Sequence, residues 1–319
     1  MSKSTKILAV LVIFLGIIYG IQKFTSSTST TENLKPFSSI DTANIREILF
    51  DFGQQIVLDK EGSKWVINSP IHFSADEGQV SLFLSRITTN PSAFVVADNP
   101  SDSSSYGLGS TAGLVGIQES NGKNITCRVG NVTPDFNGCY VQIDGKSKIL
   151  DLSSNLRTLA AQSLTNWRDK NIFPFHLDDL QVVDFSLSDT LYHFLHRDTA
   201  WQMNGTAIPA SKAESIIGSF IGMTATDFID STISREKELF DYGISLASGI
   251  RVTGKVMSLE SPEKLSGKGK ASGQIPSMAQ TCISSSANNQ TYVISSFLPN
   301  NLEGELRGMG KEFLAKRGR

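Results

Sequence analysis

Cysteine and histidine are scarce in this chain. Three cysteines among 319 residues exclude a disulfide scaffold, and Cys127, Cys139 and Cys282 are too scattered for a zinc cluster. Four histidines leave little material for metal or acid–base chemistry. Charge of one sign is lacking as well: 29 Lys and Arg stand against 31 Asp and Glu, a formal net charge of −2. Without a basic excess to neutralise phosphates, nucleic-acid binding is not expected. Hydrophobic residues make up 39% of the chain and charged residues 19%. That is enough apolar material for a real core, which rules out wholesale disorder. The length suits about two domains.

Catalytic signatures are also missing. The sequence has no Gly-x-Ser-x-Gly elbow and no His-Glu-x-x-His. Lys268 and Lys270 follow glycines, but neither precedes Ser or Thr as a phosphate loop requires. Gly107-x-Gly109 lacks the third glycine of a dinucleotide fingerprint. His193 and His196 lie in an alternating Leu-Tyr-His-Phe-Leu-His stretch. On a strand their side chains face opposite sides, which is poor for one metal. An enzyme would have to gather several of His72, Asp76, Asp135, His176 and Asp179 into one pocket. Asp178-Asp179 read instead as part of a connector. No catalytic, cofactor-binding or metal-binding residue is assigned, and no cofactor is expected.

One long apolar run is present, Ile7 to Ile21, preceded by Lys3 and Lys6 and followed by Lys23. As a helix it is about 22 Å long, and about 27 Å through Phe24, close to a ~30 Å hydrocarbon core. The run is apolar all round, unlike a surface helix. Thr25-Ser26-Ser27 is only a weak cleavage site, so an uncleaved anchor over residues 1–24 is favoured over a signal peptide. Lys3 and Lys6 favour a cytoplasmic amino terminus. The bulk of the chain is then expected outside the cytoplasmic membrane, with Ile7 to Ile21 in the bilayer. Residues 25–39, rich in Ser and Thr, read as a linker.

Internal repetition follows. Trp65 and Trp201 are 136 residues apart, and so are Tyr106-Gly107 and Tyr242-Gly243. After each Trp comes a Ser-x-x-Glu pattern, Ser74 to Glu77 and Ser211 to Glu214, and then apolar residues at helical spacing. Each pattern predicts a capping box at a helix start. Strands are predicted before each Trp and after each Tyr-Gly, with turns at Asn121-Gly122, Asn137-Gly138 and Asp144-Gly145. The expected fold class is α+β, with two tandem units over residues 40–165 and 175–300. Each unit is a mostly antiparallel sheet with one packed amphipathic helix. A short helix over 156–164 joins them, and residues 301–319 form a basic tail. Ser258 to Gln274, with Gly267-Lys268-Gly269-Lys270, reads as an exposed loop.

Trp65 and Trp201 are expected to be core anchors rather than sugar-stacking platforms. Tyr106-Gly107 and Tyr242-Gly243 are expected to form tight turns with glycine at positive φ. Cys127 and Cys139 sit on neighbouring predicted strands. They could pair across a hairpin in an oxidising compartment, or equally remain two buried free thiols.

The combined pattern of Trp65, Pro70, Ala75-Asp76, Tyr106-Gly107-Leu108, Gly130 and Tyr140-Val141, echoed by Trp201, Pro209, Tyr242-Gly243 and Tyr292-Val293, resembles the bacterial domain-of-unknown-function family numbered 4340. The resemblance implies an envelope protein facing away from the cytoplasm. It also implies association with transporter components of the ATP-binding-cassette (ABC) type, so that a membrane complex, such as a transporter permease, is the expected partner. It implies no established reaction and no cofactor. A non-enzymatic binding or scaffolding role follows by analogy. A periplasmic module for a soluble ligand or a cell-wall glycan is the alternative.

Overall fold

The structure is a computed structural model that describes residues 34–89, 91–98, 103–230, 236–259 and 280–314. The apolar run and the glycine–lysine loop at 266–270 lie outside these residues. Among the described residues no helix is long and apolar enough to cross a membrane. The chain divides between Asp169 and Lys170 into two units.

In the first unit the strands are β1 (Ile45–Asp51), β2 (Gln55–Glu61), β3 (Lys64–Ser69), β4 (Phe73–Ser74), β5 (Ala93–Ala97), β6 (Gly113–Glu119), β7 (Asn124–Val132), β8 (Cys139–Ile143) and β9 (Ile149–Leu152). Helix α1 (Glu77–Thr88) follows β4, and α2 (Leu156–Ala160) and α3 (Leu164–Trp167) end the unit. The single joining helix expected over 156–164 is therefore two short helices. The second unit holds β10 (Leu180–Leu187), β11 (Thr190–Arg197), β12 (Ala200–Met203), β13 (Thr206–Ile208), α4 (Ala210–Ile221), β14 (Asp227–Ile229), β15 (Glu236–Leu246), β16 (Arg251–Leu259), β17 (Gln280–Ser285), β18 (Gln290–Ile294) and α5 (Phe297–Met309).

Among the described residues each unit carries a nine-stranded antiparallel sheet, so the fold is mostly β with a few helices. The orders are β4-β3-β2-β1-β6-β7-β8-β9-β5 and β13-β12-β11-β10-β15-β16-β17-β18-β14. These are one topology repeated. The central pair repeats in detail, including its irregularity: a register shift falls between Ile45 and Glu47 against β6, and between Leu180 and Val182 against β15. Alternation explains the faces. Val183, Phe185 and Leu187 of β10 are buried while Asp184 and Ser186 between them are half-exposed, the period-two signature of a sheet with one covered side.

The covering helices are seated by aromatic rings. Phe50 of β1 meets Phe83 of α1 edge-on at 4.8 Å and 87°. Phe185 of β10 meets Phe220 of α4 at 4.9 Å and 88°. In the first unit Trp167 stacks on Phe50 at 4.5 Å. The Trp167 ring, 1% exposed, is a third core anchor that the repeat pattern does not reveal, because no tryptophan occupies the matching place in the second unit.

The expected capping boxes do not form. The N-cap of α1 is Asp76, whose carboxylate accepts from the Gln79 N–H. Glu77 accepts from the Trp65 N–H at 2.7 Å, tying the helix start to β3. Ser74 belongs to β4. In the second unit the N-cap is Pro209, which offers no side-chain acceptor, and Ser211 is already inside the helix. Helix α5 occupies much of the stretch read as a basic tail. It packs against α4 and buries Leu302, Leu306 and Met309.

Trp167→Ala is expected to lower stability by about 3–5 kcal/mol, because it removes a large buried ring and unseats Phe50. A urea melt of the variant beside the parent, with an unshifted midpoint as the contrary result, checks this.

Candidate functional site

The ends of β1, β6 and β7 in the first unit border an open cleft of about 710 Å³. Asp51, Phe52, Ser110, Thr111, Thr126, Arg128, Asp144 and Arg157 supply its functional groups. Residues on the same exposed face of neighbouring strands come together here: Asp51 pairs with Leu114, and Leu114 pairs with Arg128. Arg157 reaches over from α2. One of its amino groups donates to the carbonyls of Val129 and Gly130, both at 3.1 Å, and the guanidinium lies 5.6 Å from the centre of the Phe52 ring. On the other side Phe52 packs on Gly113, where a β-carbon would collide with the ring. Arg128 donates to the Gly109 carbonyl at 2.9 Å. Two fixed guanidiniums, two carboxylates and three hydroxyls make a wall of hydrogen-bonding groups. The cleft lining includes neither His nor Cys, and its chemistry is that of holding a polar ligand.

The exposed face of the second sheet carries a different arrangement. Gly243 lies beside Asp184 and Thr253 in the register. Asp184 accepts from or pairs with His193 Nδ1 at 2.7 Å and stands 3.8 Å from Arg251. Lys255 pairs with Glu238 at 2.6 Å and lies 3.8 Å from Asp241. The bond from Lys255 holds the Glu238 carboxyl below the usual carboxylate range. Partial burial, with Glu238 adding to it, pushes Asp241 up.

The residues singled out in the sequence fall in diverse places. Trp65 and Trp201 hold equivalent positions, opposite Lys60 in β2 and His196 in β11. Both are buried, and each indole is covered by that cross-strand neighbour: Lys60 Nζ at 5.9 Å and the His196 ring stacked at 4.4 Å. Tyr106 and Tyr242 are not equivalent. Tyr106-Gly107 closes a turn with Gly107 at φ +72, and Tyr106 meets Tyr140 edge-on at 5.1 Å. Tyr242-Gly243 lies in the middle of β15, where Phe185 faces Tyr242 as Phe50 faces Val115. The expected second turn is thus a central strand. Buried Tyr242 donates to the Ser284 carbonyl at 2.7 Å. Its hydroxyl is pushed up by burial. The equal spacing of the two Tyr-Gly pairs has no structural counterpart, since the second unit is shorter between its helix and its central strand.

Cys127 and Cys139 are both free and buried, as is Cys282. They do not form the disulfide weighed in the sequence, because the β7–β8 register places Cys127 opposite Ile143 and Cys139 opposite Val132. His193 and His196 lie on β11 and do not converge: one faces Asp184, and the other donates from Nδ1 to the Leu180 carbonyl. Among the described residues no three His, Cys, Asp or Glu side chains come together as a metal site would need.

The family described as Domain of unknown function (DUF4340) matches residues 65–245, more than half of the chain. The chain belongs to this family. The DUF4340 match begins at Trp65 in β3 and ends in β15, so it takes in α1 and β4 to β9 of the first unit and β10 to β14 of the second. It therefore crosses the boundary between the repeats rather than following either one. The Arg128 and Arg157 cleft lies within the DUF4340 span, although Asp51 and Phe52 precede it. No curated protein and no solved structure matches the chain.

Burial pushes the Cys127 thiol up to about 12 and Cys282 up to about 11. In the unfolded chain these thiols ionise near pH 8.5. Between that pH and the folded values the native state holds protons that the unfolded state has lost, so stability must fall as pH rises through this window. Urea midpoints are expected to be lower at pH 10.5 than at pH 8, with less of the decline in a Cys127→Ala, Cys282→Ala variant. An equal decline in the variant would remove the thiols as its cause.

Proposed function

We propose that the chain is a non-enzymatic binding and scaffolding protein. In this reading Ile7 to Ile21 hold it to the cytoplasmic membrane, the two sheets lie on the far side, and it serves as an accessory subunit of an ABC-type transport system. One observation carries the non-enzymatic part. The three carboxylates that the sequence offered for acid–base work are each tied up in local structure. Asp76 caps α1, Asp179 accepts from the His176 N–H at 2.8 Å, and Asp135 is held by Thr133 and Asn137. Contact surfaces need no perturbed acid, only shape and a few well-placed groups.

The cleft favours a second reading, a module for a polar ligand such as a cell-wall glycan. Hydroxyls and fixed guanidiniums suit sugar hydroxyls or carboxylates. A pulldown on purified cell-wall glycan separates the two: retention that Arg128→Ala abolishes favours the glycan.

For the membrane reading the chain is expected to fractionate with membranes at full mass and to bring transporter subunits with it through purification in mild detergent. A mature protein beginning near Ser26 or Ser27 would sink the anchor, and a clean preparation without membrane partners would sink the scaffold.

A further inference from the structure

Phe136 is the most exposed of the large apolar side chains among the described residues, at 78%. It sits at the tip of the β7–β8 connection, in the left-handed region at φ +61. Bulky side chains rarely adopt that backbone conformation. The next two residues, Asn137 and Gly138, are the types that adopt it readily, yet the phenylalanine takes it. Strain kept at an exposed position is a mark of function rather than of packing.

The loop that holds it is tightly tied. The Phe136 N–H donates to the Thr133 carbonyl, and the Thr133 N–H to the Gly138 carbonyl. The Thr133 hydroxyl donates to Asp135 at 2.5 Å and accepts from the Gly138 N–H at 3.0 Å. Asn137 donates to Asp135 through both its backbone and its side chain. These bonds engage both Asp135 oxygens and, with Thr133 foremost, hold the carboxyl below its usual range. Gly138 lies so close to the Leu152 carbonyl that a β-carbon would collide with it. An aromatic ring is therefore presented on a rigid mount whose one charge is already hydrogen-bonded.

Its position points to the occupant. Leu34, the first described residue, bridges to Ala93; Ala93 pairs with Leu152, and Leu152 with Cys139. Three strand spacings of about 4.8 Å put Leu34 some 14 Å from Cys139. Phe136, three residues away, lies within about 25 Å of Leu34. Leu34 is ten residues along the chain from Phe24, a separation of at most about 35 Å when fully extended. A chain anchored through Ile7 to Ile21 thus holds Leu34 no more than about 35 Å from the bilayer, which allows Phe136 to meet its surface.

We propose that Phe136 inserts into the lipid interface and orients the first unit on its own membrane. This rests on the anchor reading above. A single phenylalanine cannot hold a free protein on a bilayer, but a short tether raises its effective concentration enough to fix an orientation. Phenylalanine is among the side chains that interfacial elements bury at the headgroup–acyl boundary. No basic patch is needed, so the expected surface is zwitterionic lipid.

The test uses the full chain reconstituted into phosphatidylcholine vesicles. Phe136→Cys carries an environment-sensitive bimane label; the native thiols are buried and react slowly. Lys146→Cys, exposed in the turn at the opposite end of β8, is the control. The expected result is a blue-shifted emission at position 136 that brominated lipid quenches, with no shift or quenching at position 146. Phe136→Asn is expected to melt at or above the parent temperature and to release the unit, read as increased protease access at the membrane-facing loops. A chain that floats with the vesicles but leaves the 136 label in water overturns the insertion and spares the anchor. A chain that does not float overturns both. A label shielded only in native membranes, and not in pure lipid, overturns the lipid assignment in favour of a protein pocket.

Discussion

Phe50 and Phe185 occupy the same place in their sheets, on the first strand of the central pair, and each meets a helix phenylalanine edge to face. A nine-stranded sheet has one face to bury, and a single twelve-residue helix is a narrow cover. The edge-on ring contact fixes where that helix lies, adding a directional preference to the area it buries. Around it the first unit gathers Trp65, Val80, Phe83, Ile87 and Trp167, and the second gathers Phe173, Phe194, Ile217, Phe220 and Tyr242. The helix positions need not be identical for the contact to recur. It does so even though the helices open with different caps, Asp76 in one and Pro209 in the other.

Once the buried faces are fixed, the exposed faces are free to diverge. At the matching strand positions the first unit places Arg128 and the second Lys255, but their surroundings differ. Arg128 helps line an open cleft with a second guanidinium. Lys255 is engaged by Glu238 and stands near Asp241. The two units thus share a scaffold while offering unlike surfaces.

Much of the repeated core was legible in the sequence. Trp65 and Trp201 lie at equivalent places, each buried and covered from the same cross-strand position, by Lys60 in one unit and His196 in the other. The alternation of Val183, Phe185 and Leu187 with polar residues marks the buried face of β10 in the sequence itself. The candidate surface was far less legible. Asp51, Arg128 and Arg157 are distant in sequence, and only sheet pairing and the return of α2 bring them to one cleft. No short motif marks them. Phe136 was hidden by its neighbours: Asn137-Gly138 looks like an ordinary turn, and local preference alone would put the positive φ there.

The duplication, the antiparallel character and the scarcity of cysteine and histidine could all be read along the chain alone, since composition and periodicity are local properties. Tertiary structure decided the register of Tyr242, the separation of Cys127 from Cys139, and the role of Trp167. Each depends on which distant strand lies alongside. A strand's inward and outward faces can be read from its own residues, but its neighbours are chosen by the closure of the whole sheet.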